Sequence, residues 1–229
     1  LKLVIIAGTG TEVGKTWLGC QLALQLGRAG FRVAARKLAQ SFHPSELGRT
    51  DAELLAEATG ERATDVCPAH RWYPRPMAPP MAAESMGLPP VTLAGLLAEL
   101  SWPGLAHIGL LEQAGGLGSP QAVDADGTDV VKALAPQLVV LVAAPGLGTL
   151  SSTRLALRAL GSQDAVVYLN RFDPADELHE RNRRWLAERE HLEVLSRPGD
   201  LGRRVAQALE RPAGRPGPSA GSDRPADAE

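Results

Sequence analysis

The residues most able to do chemistry are grouped in Gly8-Thr9-Gly10-Thr11-Glu12-Val13-Gly14-Lys15-Thr16. Glycines let a backbone turn tightly, so that successive N–H groups point inward at an anion. A helix opening at the end of such a turn adds its free N–H groups and the positive end of its dipole. Lys15 is then placed to reach terminal phosphates, and the Thr16 hydroxyl to meet Mg²⁺. Gly8 and Gly14 are separated by five residues, one more than the usual phosphate-loop pattern. Three further residues stand where they could act with the loop. Lys37 ends the alternating run Phe31-Arg32-Val33-Ala34-Ala35-Arg36-Lys37, although a lysine at a strand end is also an ordinary surface residue. Glu112 ends His107-Ile108-Gly109-Leu110-Leu111-Glu112 just before Gly115-Gly116, a layout suited to a metal-facing acid and equally to a solvated turn. Asp51 follows Thr50 at a helix start. It is either a first-turn acid favoured by the dipole or a metal ligand, and position alone favours the dipole.

The elements that must position these residues alternate between strand and helix. Leu3–Ala7 is an apolar run of strand length. Leu18, Leu22 and Leu26 give the next stretch helical spacing, and Gly30 ends it. Residues 40–49 read as a loop, followed by a helix over Ala52–Ala58 with Thr50 as its cap. Seven prolines between residues 68 and 90 predict an irregular or mobile stretch, with one helical turn at Met81–Glu84. Helices are expected over Thr92–Leu100, Asp129–Leu134, Ser151–Leu160, Ala175–Glu190 and Leu201–Leu209. Strands are expected at His107–Glu112, Leu138–Ala143, Ala165–Asn170 and Leu192–Leu195. Leu138–Ala143 has no polar interruption, as a central parallel strand covered on both faces requires. The alternation argues for an α/β fold with a doubly wound, mostly parallel sheet. Since ligands of open α/β sheets bind outside the carboxyl ends of the strands, Lys37, Glu112 and Asn170 all end strands on the ligand side.

Composition narrows the function. The 229 residues are 44% hydrophobic with a net charge of −2, which suits one globular domain and gives no electrostatic case for nucleic acid or an anionic membrane. Cys20 and Cys67 are far apart and lack ligand spacing, which suggests a reducing compartment. No apolar stretch reaches bilayer length and the first apolar run leads into the loop rather than a cleavage site, so a cytoplasmic chain is expected. One domain over 1–210 and a disordered tail over 211–229 are expected, the tail lacking apolar periodicity. None of the five histidines pairs with another at metal-ligand spacing. Gly217-Pro218-Ser219-Ala220-Gly221 lies in that tail without a flanking strand or helix and is no nucleophile elbow.

The loop with its extra residue resembles the phosphate loop of the dethiobiotin synthetase family. Lys37-Leu38-Ala39-Gln40-Ser41, Pro76–Glu84, Glu112-Gln113-Ala114-Gly115-Gly116-Leu117 and Leu147-Gly148-Thr149-Leu150 resemble further family segments in the same order, so that the similarity spans about residues 2 to 205. The resemblance implies a P-loop NTPase-like fold and an ATP-dependent ring closure. In it 7,8-diaminononanoate takes up CO₂ as a carbamate, which attacks the γ-phosphorus of ATP before the second amine closes the ureido ring. It implies Lys15, Lys37 and Thr11 as catalytic residues, and Gly10, Thr11, Glu12, Val13, Gly14, Lys15, Thr16, Asn170 and Pro198 around ATP. It further implies Ser41, Gly148, Leu150 and Ser151 toward the substrate, Thr16, Asp51 and Glu112 around Mg²⁺, and a homodimer. On this basis Asp51 becomes a metal ligand. Gly10, Leu38, Phe42, Gln113 and Ser151 depart from the family pattern, Gln113 being expected to set a bulky amide beside the phosphates. The substrate side is thus less well kept than the ATP side. The alternatives are an ATP-dependent ligase acting on another carboxylate or amine, and a non-catalytic ATP-binding regulator.

Overall fold

The computed structural model describes residues 1–45 and 48–210. The stretch expected as a tail, from residue 211, lies outside the described residues. The chain begins with β1 (Lys2–Gly8), α1 (Lys15–Arg28), β2 (Val33–Lys37), β3 (Gln40–Ser41), α2 (Asp51–Thr59), α3 (Ala63–Val66) and β4 (Trp72–Tyr73). It continues through α4 (Pro79–Ser85), α5 (Leu93–Glu99), β5 (Ile108–Glu112), β6 (Pro120–Ala122), β7 (Ala125–Asp126), α6 (Gly127–Leu134) and β8 (Leu138–Ala143). The last part holds α7 (Thr149–Leu160), β9 (Ala165–Leu169), α8 (Glu177–Arg184), β10 (Val194–Leu195) and α9 (Pro198–Glu210).

Six strands form the central sheet in the order β10-β9-β8-β1-β5-β2, every pair parallel. Side chains alternate across a strand, and β1 shows what that does here. Leu3, Ile5 and Ala7 enter a core with Leu111, Val139, Leu141 and residues of α4 to α7. Val4 and Ile6 enter a second core with Leu110, Val140, Val142 and the apolar stripes of α1 and α9. Burial on both faces is why β5 and β8 read as unbroken apolar runs.

Several helix starts carry the caps their residues imply. Thr50 and Glu53 form a reciprocal capping box on α2, Asp126 and Asp129 form one on α6, and Thr92 accepts from the Gly95 N–H on α5. The proline-rich stretch differs from expectation. Pro79 and Pro80 occupy the first positions of α4, where a missing N–H breaks no helical bond, and β4 pairs with β3.

The edge strand β2 is held from outside by one acid. Glu61 Oε2 accepts from the Ala35 N–H at 2.8 Å and from the Thr59 hydroxyl at 2.9 Å, while Oε1 lies 2.7 Å from Arg36 Nη1. Arg36 is 7% exposed and stacks over Trp102. Glu61→Ala leaves a buried guanidinium without its acid, so urea denaturation should show a loss of about 3–5 kcal/mol.

Candidate active site

The glycine turn runs from the carboxyl end of β1 straight into α1. A Cβ on Gly8 would lie 2.9 Å from the Gly10 carbonyl oxygen, and Gly14 has φ +92°, a left-handed conformation in which a Cβ would fall 1.9 Å from Asn170 Nδ2. Only glycine fits at Gly14. No side chain caps the start of α1, so its first N–H groups remain available to an anion. Asn170 Nδ2 donates to the Val13 carbonyl oxygen at 2.9 Å, tying the end of β9 to the loop.

The charged residues meet above the carboxyl ends of β2 and β5. Lys37 and Glu112 are register partners on these neighbouring strands. Lys37 Nζ lies 2.7 Å from Glu112 Oε1 and 2.9 Å from Asp51 Oδ2. Thr16 Oγ1 is 2.8 Å from Asp51 Oδ1 and 2.9 Å from Glu112 Oε1. Asp51 is thus a first-turn acid of α2 and at the same time a partner of Lys37 and Thr16. Lys15 Nζ donates to the Gly10 carbonyl oxygen at 3.1 Å.

Burial lowers the Lys15 ammonium below its ordinary value, opposed by Glu112. Burial also acts to lower Lys37, but Glu112 and Asp51 outweigh it and hold its ammonium above the ordinary value. Burial pushes the Glu112 carboxyl up against the pull of Lys37. For Asp51 burial acts upward, yet Lys37 and the Thr16 hydroxyl outweigh it and hold the carboxyl low. The depressed Asp51 value sets a pH dependence. Its stabilisation is full above the unfolded value of about 3.9 and is lost as pH falls through the lower folded value. Thermal melts on the acid side should show this loss, and Asp51→Asn should flatten that part of the profile.

These groups share one cleft of about 690 Å³. Of the residues singled out from sequence, Thr11, Glu12, Gly14, Lys15 and Thr16 line it on the loop side, and Lys37, Ser41, Asp51 and Glu112 on the other. Gly10 lies just beneath, its carbonyl held by Lys15. Val13 and Asn170 are buried against each other and do not line the cleft. Pro198 opens α9, and Gly148, Leu150 and Ser151 lie at the start of α7, all four outside the lining. The turn before α7 is anchored by Asn182 Nδ2, which donates to the carbonyl oxygens of Pro145 and Gly146. Arg171, Ser119 and Met77 also line the cleft. Arg171 went unnoticed in the sequence, where its only signal is its place directly after the strand-ending Asn170.

Gln113 does not crowd the phosphates as its size suggests. Its side chain turns inward, 1% exposed, and Nε2 donates to the Gly127 carbonyl oxygen at 2.8 Å. Gly127 accommodates it, since a Cβ there would lie 2.7 Å from Gln113 Oε1. Gln113→Gly should cost about 1–3 kcal/mol in chemical denaturation by removing a buried hydrogen bond and the packing of its side chain, and should leave nucleotide affinity unchanged.

A family model described as an AAA domain matches residues 2–197. The ATP-dependent dethiobiotin synthetase BioD of Streptomyces avermitilis is 42% identical over 168 residues, spanning 70% of this chain and 66% of that protein. The protein of the same name from Anaeromyxobacter dehalogenans is 35% identical over 219 residues, covering 91% of this chain and 96% of that one. The chain belongs to the dethiobiotin synthetase family. Solved structures with the same fold include a plasmid partition protein from Borrelia burgdorferi, 13% identical with a TM-score of 0.50 over 91% of this chain and 96% of that one. The signal recognition particle receptor FtsY from Elizabethkingia anophelis is 14% identical with a TM-score of 0.50, over 91% of this chain and 65% of that one. Against the dethiobiotin synthetase pattern, the departure at Gln113 is thus absorbed by the interior, whereas Phe42 stands in the cleft wall itself.

Proposed function

We propose that the chain is an ATP-dependent dethiobiotin synthetase, closing the ureido ring of dethiobiotin from 7,8-diaminononanoate and CO₂. The observation that carries this reading is the meeting of Lys15 and Lys37 with Thr16, Asp51 and Glu112 in one cleft of a chain from this family. One amine of the substrate takes up CO₂ and loses a proton, giving a carbamate. A carbamate oxygen attacks the γ-phosphorus and ADP leaves. The second amine then attacks the carbamoyl carbon, phosphate departs, and the ring closes.

The first displacement brings two anions together, so fixed cations are the main requirement. Lys15 faces the terminal phosphates from the loop. Lys37, on the acceptor side, neutralises the carbamate, and Thr11 and Ser41 supply hydroxyls at the cleft wall. Thr16, Asp51 and Glu112 offer only oxygen, the donor set Mg²⁺ prefers, and Glu112 Oε2 is buried without a hydrogen-bond partner. Mg²⁺ is commonly held by one or two carboxylates together with substrate phosphates. Bound there, Mg²⁺ would neutralise phosphate charge.

Gly148, Leu150 and Ser151 are read as substrate residues, and the chain as a homodimer. The exposed Leu147 and Leu155, at 92% and 61%, lie before and within α7 with these residues and support an association there. We read the setting as cytoplasmic from the two free cysteines, Cys20 and Cys67. No helix among the described residues is long and apolar enough to cross a membrane. The test is phosphate release with Mg-ATP and bicarbonate, with and without 7,8-diaminononanoate. Release should depend on the diamine and fall by roughly 10²-fold or more in Lys37→Ala. Release indifferent to the diamine would sink the assignment.

A further inference from the structure

We propose that Arg171 is the platform for the nucleobase of the bound nucleotide, its guanidinium plane stacked on the base. The inference deepens the ATP reading above and rests on it.

Three observations converge. The first is backbone geometry. The Asn170 N–H donates to the Ala143 carbonyl oxygen at 2.9 Å and its side chain is tied to Val13, so the chain is fixed up to this residue. Arg171 then takes φ +59°, a left-handed conformation. That conformation costs a residue with a Cβ on the order of 1 kcal/mol, and glycine would adopt it freely. Arg171 belongs to the lining of the same cleft that Glu12 and Gly14 line. Of the four non-glycine residues with positive φ among the described residues, Glu12 and Arg171 line this cleft and Ala135 and His191 do not, and strain gathered at a cleft points toward function.

The second observation is charge. Lys37 is bonded to Glu112 and Asp51, and Lys15 to the Gly10 carbonyl. Arg171 lines the same cleft with no hydrogen bond or ion pair among the described residues.

The third is position. Glu112 ends β5 and Arg171 follows β9, with β1 and β8 between them. Three strand spacings separate the two ends, roughly 14 Å. A nucleotide whose terminal phosphate meets Lys37 and the Thr16 hydroxyl therefore runs its nucleoside end toward β9. The loop N–H groups and Lys15 already serve the phosphates. A planar, weakly hydrated guanidinium stacks well on an aromatic face, which a lysine ammonium does not do.

The test compares Mg-ADP with Mg-pyrophosphate by titration calorimetry, using the full chain without acceptor. Wild type is set beside Arg171→Gly and Arg171→Lys. Both variants should bind ADP about tenfold more weakly and pyrophosphate as wild type does. Arg171→Gly should melt at or above the wild-type temperature, which separates lost binding from lost structure. Unchanged ADP affinity overturns the proposal. So does a parallel loss of pyrophosphate affinity that Arg171→Lys restores, since that marks a phosphate contact. Because diamine-dependent phosphate release is measured separately, the synthetase reading survives either of these results.

Discussion

One ammonium held between two carboxylates, out of water, is the constraint on which the rest of this site depends. Lys37 is 4% exposed and Glu112 is 2% exposed. Charges removed from solvent persist only when partnered. Lys37 reaches Glu112 because β2 and β5 run parallel in register, and reaches Asp51 because the capping box fixes where α2 begins. Thr16 touches the same two acids, so the start of α1 is bound to the same point. Two strands and two helices thus converge on one set of charges, and disturbing any member leaves the others uncompensated.

The sheet order then distributes work across the cleft. β5 and β2, on one side of the glycine turn, carry Glu112 and Lys37, while β8 and β9 lie on the other. Asn170 joins the two sides, because its amide holds the Val13 carbonyl while its backbone continues the β9–β8 ladder. The glycine turn is therefore braced on both flanks before any ligand arrives, an arrangement that lowers the ordering cost of binding.

What the sequence showed and what it hid follow from the range of the interactions involved. β1, β8 and the phosphate turn were legible because they depend on local runs and on glycine. Glu112 and Lys37 were legible as strand ends, but their mutual contact depends on register, which a single strand does not carry. The charged stretch expected as one helix over Ala175–Glu190 divides into α8 and a π-helical turn at Trp185–Arg189. Its charge spacing is helical throughout, whereas the change of winding accompanies the complete burial of Leu186, a tertiary effect. The inward turn of Gln113 was hidden because it is set by Gly127, and the place of Arg171 in the cleft because it follows a tether from Asn170 to Val13.

The two borders of the central sheet are closed to newcomers by different means. At one border β10 offers only two residues in register with its neighbour. At the other, the Ala35 N–H is taken by Glu61 and its carbonyl by the Arg36 guanidinium, so the strand has spent its middle bonds on its own chain. An open border would serve as a template for another chain's strand, and copies could then add without limit. With both borders blunted the sheet has a fixed width, so that any contact between copies is left to other faces, where it can end after a finite number of partners.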